Sequence, residues 1–240
     1  MDIPSVPDDA PPLAVDIDGT LTDDQRALDP RVMPVLRTWP APVVVATGKS
    51  MPYPVALCEF LAIEQLVVAE NGGVVVAGRD TVRIEGDREA ANAVAEAYRA
   101  EGYGLGWGGA DLVNRWRETE LAVAREMPRD PLDRIAADHG LVVVDTGYAY
   151  HVKSPDTDKG AGLRAVAEEL GLAPDDFLAV GDSENDAPTF EVAGRSVAVA
   201  NADERARATA EYVTEAAFAD GFLEAVERFA EPLSGGDEFQ

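Results

Sequence analysis

Short apolar runs alternate with helix-like segments over most of the chain. Each run is rich in valine and stops at glycine or polar residues, which is typical of a buried strand that ends in a loop. The clearest strand segments begin at Leu13 and cover residues 42–47, 65–69, 177–180 and 196–200. Residues 74–76 follow an Asn-Gly turn signal, so they predict the returning strand of a hairpin.

Helical segments lie between and after these strands. They cover residues 31–39, 55–61, 160–170, 185–192, 204–212 and 218–229. Repeated strand-then-helix units indicate a mostly parallel sheet with helices on both faces. We therefore expect a doubly wound α/β fold, in which ligands bind beyond the carboxyl ends of the strands.

The middle of the chain has a different pattern and predicts a small α+β unit. Its strands are expected at residues 81–84, 118–125, 141–145 and 148–152, and its helices at residues 88–100 and 131–139. Residues 81–153 are therefore expected to form a cap inserted into a core built from residues 1–80 and 154–240. The glycine-rich, acidic residues 234–240 are expected to fray.

The charge balance is strongly acidic, with 45 acids, 20 bases and a net charge of −25. Such a surface repels nucleic acid and anionic membranes, so neither is expected as a partner. The only lysines are Lys49, Lys153 and Lys159. An acidic, lysine-poor chain resembles the proteins of salt-loving organisms, and the few lysines retained are candidates for a chemical role.

The hydrophobic content, the length of the apolar runs and the cysteine count exclude several classes of protein. Hydrophobic residues make up 46% of the 240 positions, which is enough for a packed core. No apolar run reaches membrane-spanning length, and the first residues lack a signal-peptide pattern, so a cytoplasmic protein is expected. Cys58 is the only cysteine, which excludes an intrachain disulfide and a cysteine-based zinc site. A monomer or a homodimer is expected.

Polar residues with a common chemistry follow the core strands. They are Asp16, Asp18, Gly19 and Thr20 after the first, Thr47, Gly48 and Lys49 after the second, and Asp182, Ser183, Asn185 and Asp186 after a later one. Several carboxylates at one crevice would repel one another, and Mg²⁺ with its preference for oxygen ligands would relieve that repulsion. Lysine, hydroxyls and glycine-flanked N–H groups suit a phosphate. Together they indicate phosphoryl transfer.

Four segments carry a specific resemblance. Residues 16–22, DIDGTLT, resemble the first motif of the haloacid dehalogenase-like hydrolases. Thr47-Gly48, Lys159-Gly160 and residues 181–186, GDSEND, resemble the second, third and fourth motifs, in the same order. The insertion between the second and third motifs is similar to the branch with an α+β cap, and the chain length is most like that of archaeal phosphoglycolate phosphatases.

The resemblance implies roles for these residues in a Mg²⁺-dependent phosphatase acting on a small phosphorylated metabolite. Asp16 would attack phosphorus and form an aspartyl-phosphate, and Asp18 would act as general acid and base. Asp16, Asp18, Asp182 and Asp186 would hold or support Mg²⁺. Thr47, Gly48 and Lys159 would bind the phosphoryl group. The substrate expected from the resemblance is 2-phosphoglycolate.

Other interpretations were weighed against this one. A calcium loop needs glycine where Leu21 stands, and a nucleotide-binding P-loop needs glycine where Val43 stands. Gly181-Asp182 alone could be a turn, and Lys159 alone a solvated helix residue; their occurrence in order favours the phosphatase. A sugar-phosphate or mannosyl-3-phosphoglycerate phosphatase, a kinase or mutase, and a non-catalytic phosphate-binding protein stay open as alternatives.

Some residues of the middle segment allow two interpretations. His151 is either an exposed strand residue or a substrate contact, and Lys153 binds either a substrate carboxylate or a neighbouring acid. Trp107 and Trp116 either pack within the cap or form a lid surface. His139 is expected at the surface, and Cys58 is expected to be a small buried hydrophobic residue.

Overall fold

The computed structural model describes residues 3–229 and contains two sheets. The larger sheet has eight strands in the order β11-β10-β9-β1-β2-β3-β4-β5. Its strands are β1 Leu13–Val15, β2 Val43–Ala46, β3 Leu66–Ala69, β4 Val74–Ala77, β5 Thr81–Ile84, β9 Leu178–Gly181, β10 Arg195–Ala198 and β11 Tyr212–Val213. The strands from β11 to β3 pair in parallel, and β4 and β5 are antiparallel. Residues 234–240, for which the sequence predicts fraying, lie outside the described residues.

Helices cover both faces of this sheet, which confirms the expected α/β fold. They are α1 Val32–Arg37, α2 Pro52–Leu61, α5 Lys159–Leu170, α6 Ala187–Phe190, α7 Glu204–Thr209 and α8 Phe218–Phe229. The alternation of side chains along β1 shows the two layers, because Leu13 and Val15 pack with α1 and α8, while Ala14 packs with α5. All three are buried, as expected for a central parallel strand.

The smaller sheet lies within the segment predicted to form a cap. It has three antiparallel strands in the order β6-β8-β7, namely β6 Leu121–Ala124, β7 Val142–Asp145 and β8 Ala149–Lys153. Helices α3 Arg88–Ala100 and α4 Arg129–Asp138 pack on it around Val94, Tyr98 and Leu132. Asp87 begins α3 by accepting a hydrogen bond from the N–H of Ala90 at 2.9 Å.

Two boundaries differ from the sequence-based expectation. Residues 81–84 were assigned to the cap, but β5 pairs with β4 in the large sheet, and Arg83 forms ion pairs with Glu168 and Glu169 of α5. We therefore propose that, among the described residues, the core comprises residues 3–84 and 154–229 and the cap comprises residues 85–153. Residues 204–212 were expected to be one helix, but α7 ends at Thr209 and Tyr212 begins edge strand β11.

Candidate active site

The acidic residues of the first and fourth motifs meet because their strands are neighbours. β1 pairs in parallel with β9, so Asp16, just after β1, and Asp182, just after β9, lie at the same edge of the sheet. The backbone N–H of Asp16 donates to the carbonyl of Val180 at 3.0 Å and extends this pairing by one residue. Asp16 is 5% exposed, so its carboxylate is almost fully removed from water.

Lys159 lies between the carboxylates of Asp16 and Asp186 on the buried side of the site. Its Nζ lies 2.7 Å from Asp16 Oδ1 and 2.6 Å from Asp186 Oδ1, and the side chain is fully buried. Burial lowers the pKa of Lys159, but the charges of Asp16 and Asp186 more than offset this and raise it overall. Lys159 is therefore a permanent cation, held by the start of α5.

Asp186 organises the loop that carries Asp182. Its Oδ2 accepts hydrogen bonds from the backbone N–H groups of Asp182 at 3.0 Å and Ser183 at 3.1 Å. A Cβ at Gly181 would lie 2.4 Å from the carboxyl carbon of Asp186, so glycine is required there for this close approach. Both carboxylate oxygens of Asp186 are thus engaged by the protein.

Asp16, Asp182 and Asp186 form a cluster that fits a divalent cation. One carboxylate oxygen from each lies within 4.8 Å of the others. Burial, together with the neighbouring acids, raises the pKa of Asp16 to about 7 and that of Asp182 to about 9. Carboxylate oxygens are the donors that Mg²⁺ prefers, and a cation among them would remove the repulsion that raises these pKa values.

The second motif lies on the other side of Asp16, after β2. Thr47 is buried, and its Oγ1 accepts a hydrogen bond from the N–H of Lys49 at 3.1 Å. Lys49 Nζ lies 2.8 Å from Asp18 Oδ2, which is the side chain expected to act as general acid and base. Asp18 is about one-third exposed, so it can reach a ligand in the open space above Asp16.

That open space is a cavity of about 290 Å³ lined by loop residues that follow strands of the large sheet and by residues of the cap. The expected site residues Asp16, Asp18, Thr47, Gly48 and Asp182 line it. Asp186 and Lys159, also expected at the site, contact this group from its buried side. The structure therefore brings together every residue that the sequence singled out for catalysis, metal binding or phosphate binding.

The cap contributes cavity residues that the sequence analysis did not identify. Arg117, Thr146 and Tyr148 line the cavity beside His151. Arg117 Nη1 donates to the carbonyl of Gly48 at 3.0 Å and forms an ion pair with Glu120. The sequence does contain an arginine and a glutamate three residues apart just before β6, which is a possible ion pair. Nothing in the sequence, however, predicts that this segment lies over the second motif.

His151 is buried rather than exposed, which overturns one of its two expected roles. It is 2% exposed, and its Nδ1 lies 2.8 Å from Glu120 Oε1. Burial by itself raises the pKa of Glu120, but the charges of His151 and Arg117 lower it to about 2. Glu120 Oε2 also accepts a hydrogen bond from Asn71 Nδ2 at 2.9 Å.

The remaining ambiguous residues have structural contacts. Lys153 donates to the carbonyl of Thr157, and within residues 3–229 it forms no ion pair with a neighbouring acid, which was one of its two expected roles. Trp107 packs in the cap, where its Nε1 donates to the carbonyl of Ala122 at 2.8 Å. Trp116 is 43% exposed at the cap surface. His139 is exposed and Cys58 is fully buried, as expected.

The family is decided by comparison with known proteins. The sequence profile of the haloacid dehalogenase-like hydrolases matches residues 13–102 and 122–226. The chain belongs to this family. Among curated hydrolases, "Phosphoglycolate phosphatase" from Haloarcula marismortui is 64% identical over 91% of this chain and 96% of its own length. The protein of the same name from Natronomonas pharaonis is 61% identical over 90% of this chain and 96% of its own.

Solved structures agree with this placement among the haloacid dehalogenase-like hydrolases. The crystal structure of Thermoplasma acidophilum 0175 superposes with a TM-score of 0.79 at 26% identity, covering 92% of this chain and 98% of that one. A haloacid dehalogenase-like hydrolase from Bacteroides thetaiotaomicron gives a TM-score of 0.73 at 18% identity, covers 91% of this chain and 99% of its own, and supports the fold alone.

Among the described residues, none of the helices has both the length and the apolar character that a membrane span requires.

Proposed function

We propose that this hydrolase is a Mg²⁺-dependent phosphomonoesterase that converts 2-phosphoglycolate to glycolate and inorganic phosphate. The observation that carries the proposal is the position of Asp16, held by Lys159 at 2.7 Å within a cluster of acids at the base of a small cavity. Its relatives named phosphoglycolate phosphatase, at 64% and 61% identity over nine-tenths of the chain, support the choice of substrate.

Asp16 is the proposed nucleophile, and its two oxygens have different surroundings. Oδ1 accepts the hydrogen bond from Lys159, which leaves Oδ2 to attack phosphorus. The new bond from Asp16 to phosphorus forms as the bond from phosphorus to the glycolate oxygen breaks. Lys159 fixes the orientation of the carboxylate throughout, because its position is set by Asp186 on the other side.

Asp18 is the proposed general acid and base. It donates a proton to the leaving glycolate oxygen, and it then takes a proton from the water that attacks the aspartyl-phosphate. That second attack releases inorganic phosphate and restores Asp16. Lys49, 2.8 Å from Asp18, keeps the carboxyl group at the cavity surface and adds positive charge where the phosphoryl oxygens would lie.

The metal would be held by Asp16, Asp182 and the backbone carbonyl of Asp18. When bound, Mg²⁺ neutralises negative charge on the transferring phosphoryl group. Asp186 supports the site indirectly, because its oxygens are taken by Lys159 and by the N–H groups of Asp182 and Ser183. Thr47 and Gly48, whose loop faces the same cavity, are the proposed phosphoryl ligands together with Lys159.

Phosphate release from a panel of small esters tests the proposal, with Mg²⁺ and high KCl present. We expect wild type to prefer 2-phosphoglycolate, and Asp16→Asn to lose at least ~10³-fold in kcat while remaining folded. Asp23→Asn is the matched control, because Asp23 lines the same cavity outside the acid cluster. A preference for a hexose phosphate would favour the sugar-phosphatase alternative, and no release from any ester would refute the phosphatase.

A further inference from the structure

Arg117 is a buried cation with unused hydrogen-bonding capacity. It is 6% exposed, its Nε donates to the carbonyl of Val113 at 3.1 Å, and its Nη1 donates to Gly48 and Glu120. A guanidinium carries five N–H groups, and within residues 3–229 nothing accepts a hydrogen bond from the two on Nη2. These two N–H groups are therefore available to a ligand or to water.

The unused donors of Arg117 are accessible from the cavity. Nη2 is not among the side-chain atoms that are both sealed from solvent and without a partner. Arg117 lines the cavity, so the open space that Nη2 reaches is the space above Asp16 and Gly48. A ligand group at that point would be flanked by the second motif on one side and by the cap on the other.

Glu120 fixes the orientation of Arg117 and His151, two of the four cap residues that line this space. Its Oε1 contacts Arg117 and His151 Nδ1, and its Oε2 is held by Asn71 of the core. His151 Nδ1 is engaged by Glu120 Oε1 at 2.8 Å and also lies 3.3 Å from Asn71 Nδ2, so Nε2 is the ring nitrogen left for other partners. Within the described residues nothing bonds Nε2, and His151 lines the cavity beside Arg117.

The chemistry of the cavity indicates what kind of group would bind there. Asp16, Asp18 and Asp182 line the same space, so a second anionic group on the ligand needs a cation that is not already bound to the metal acids. Arg117 is such a cation, because within the described residues its acid partner is Glu120 of the cap, and its two free N–H groups, both on Nη2, can donate charge-assisted hydrogen bonds to a carboxylate oxygen. In phosphoglycolate one methylene separates the ester oxygen from the carboxylate carbon, so the cation must lie next to the phosphoryl site, as Arg117 does beside Gly48.

We propose that Arg117 Nη2, oriented by Glu120 and supported by His151, is the subsite for a carboxylate carried one carbon from the phosphoester oxygen. This inference rests on the proposed phosphatase function and names its substrate class, the phosphate esters of short 2-hydroxy acids. Arg117 therefore determines substrate preference, while the acids at the base of the cavity carry out the reaction.

Arg26 offers a matched comparison, because it is a second arginine on the same cavity. Its guanidinium stacks on the ring of Tyr148, 4.5 Å from the centroid, and its side chain is exposed. An exposed arginine binds an anion in competition with water and salt, so it contributes less than a buried one. Arg26→Gln therefore serves as the control for Arg117→Gln.

The test measures kcat and KM for 2-phosphoglycolate and for 2-hydroxyethyl phosphate, which has similar size and no carboxylate. In Arg117→Gln we expect KM for phosphoglycolate to rise about 10- to 10²-fold, as for loss of a charged hydrogen bond from Nη2. For hydroxyethyl phosphate kcat/KM should stay within about threefold, so the preference of wild type is lost. Arg26→Gln should keep that preference.

Several outcomes would overturn the inference. If Arg117→Gln loses kcat/KM equally on both esters, Arg117 only positions Gly48. If the preference for phosphoglycolate is lost in Arg26→Gln and kept in Arg117→Gln, Arg26 binds the carboxylate instead of Arg117. If Arg117→Gln does not fold, Arg117→Lys decides, since it keeps the charge but has no group at the position of Nη2; an unchanged preference there contradicts the proposal. Wild type that hydrolyses hydroxyethyl phosphate equally well refutes the subsite. Wild type that is inactive on both esters but active on another ester refutes the phosphoglycolate assignment, and no release from any ester refutes the phosphatase itself.

Discussion

Glu70 of the core accepts two hydrogen bonds from Thr119 of the cap through one carboxylate oxygen. Glu70 Oε2 lies 2.8 Å from both the backbone N and the Oγ1 of Thr119. Glu70 is fully buried and has a φ of +50°, a left-handed conformation that costs a non-glycine residue about 1–2 kcal/mol. The contacts with the cap offset this cost, so the strained residue joins the two units.

We expect Glu70→Ala to destabilise the protein by about 3 kcal/mol, because the buried N–H groups of Glu118 and Thr119 would lose their acceptor. Urea unfolding measures this change. Glu59→Ala, on the exposed face of α2, should stay within about 0.5 kcal/mol of wild type. Equal stability of the two variants would show that the contact between Glu70 and the cap does not stabilise the fold.

Lys159→Met should destabilise the metal-free protein strongly. Removing the buried ammonium leaves Asp16 and Asp186 facing each other without a cation, which costs about 3–5 kcal/mol for a broken buried pair. Arg164→Met is the matched control, because Arg164 is exposed on the same helix. Thermal unfolding in EDTA compares them, and similar melting temperatures would contradict the expectation.

Gly19→Ala should impair metal binding through a direct clash. A Cβ at Gly19 would lie 2.1 Å from Asp182 Oδ2, and the φ of Gly19 is +82°. Gly102 has a φ of +91° with no atom within 4 Å of an added Cβ, so Gly102→Ala has the backbone strain without the clash. The measured quantity is the rise in melting temperature on adding Mg²⁺. We expect that rise in Gly102→Ala and little of it in Gly19→Ala, and an equal rise in both would refute the clash.

The dependence of stability on pH should become weaker when Mg²⁺ is present. Burial and mutual repulsion raise the pKa of Asp16 to about 7 and of Asp182 to about 9 without metal. Carboxyls whose pKa is raised in the folded protein stabilise the fold while they are protonated, so the metal-free protein should lose stability as pH rises from 3.8, the ordinary pKa of aspartate, through 7 to 9. Mg²⁺ competes with these protons, so its stabilising effect should grow over the same range.

Melting curves at several pH values, with EDTA and with Mg²⁺, measure this difference in pH dependence. Asp182→Asn should flatten the metal-free pH profile, because the group with the larger shift no longer titrates. It should also lose most of the Mg²⁺ effect. A stabilisation by Mg²⁺ that is the same at every pH would contradict the assignment of these acids to the metal.

High salt should stabilise the whole protein. The net charge of −25 makes the compact state repel itself, and KCl screens that repulsion. The acidic composition fits the relatives from haloarchaea such as Haloarcula marismortui. We expect the melting temperature to increase from dilute buffer to molar KCl, as measured by circular dichroism. Full stability in dilute buffer would count against salt adaptation.

The core residues of the site were predictable because each carries a local signal. Asp16, Thr47 and Asp182 each follow a short apolar run, and the parallel pairing of β9, β1 and β2 brings the ends of these strands together. Lys159 stood out because lysine is scarce in this chain. The alternation of strands and helices predicted a mostly parallel sheet, and in such a sheet the strand ends that carry the motifs lie at one edge.

The cap side of the site was not predictable in the same way. Arg117 and Glu120 precede β6 in a turn whose position over Gly48 is set by the distant contact with Glu70. His151 alternates with tyrosines in an ordinary strand pattern, and only the pairing of β8 with β6 places it beside Glu120. β5 was misassigned because Val82 and Ile84 are exposed on an edge strand, which weakens the signal for core membership.

Asn71 connects the fourth motif to the cap, since its Oδ1 accepts from Asn185 at 2.9 Å while its Nδ2 donates to Glu120 at 2.9 Å. Grafting the cap of another hydrolase onto this core would break these two hydrogen bonds unless residues 70–71 also matched the new cap. Exchange of caps between family members is thus constrained by two core residues that lie outside the cap segment. Libraries of chimeras that transfer this pair with the cap should contain more folded, active members than libraries that transfer the cap alone.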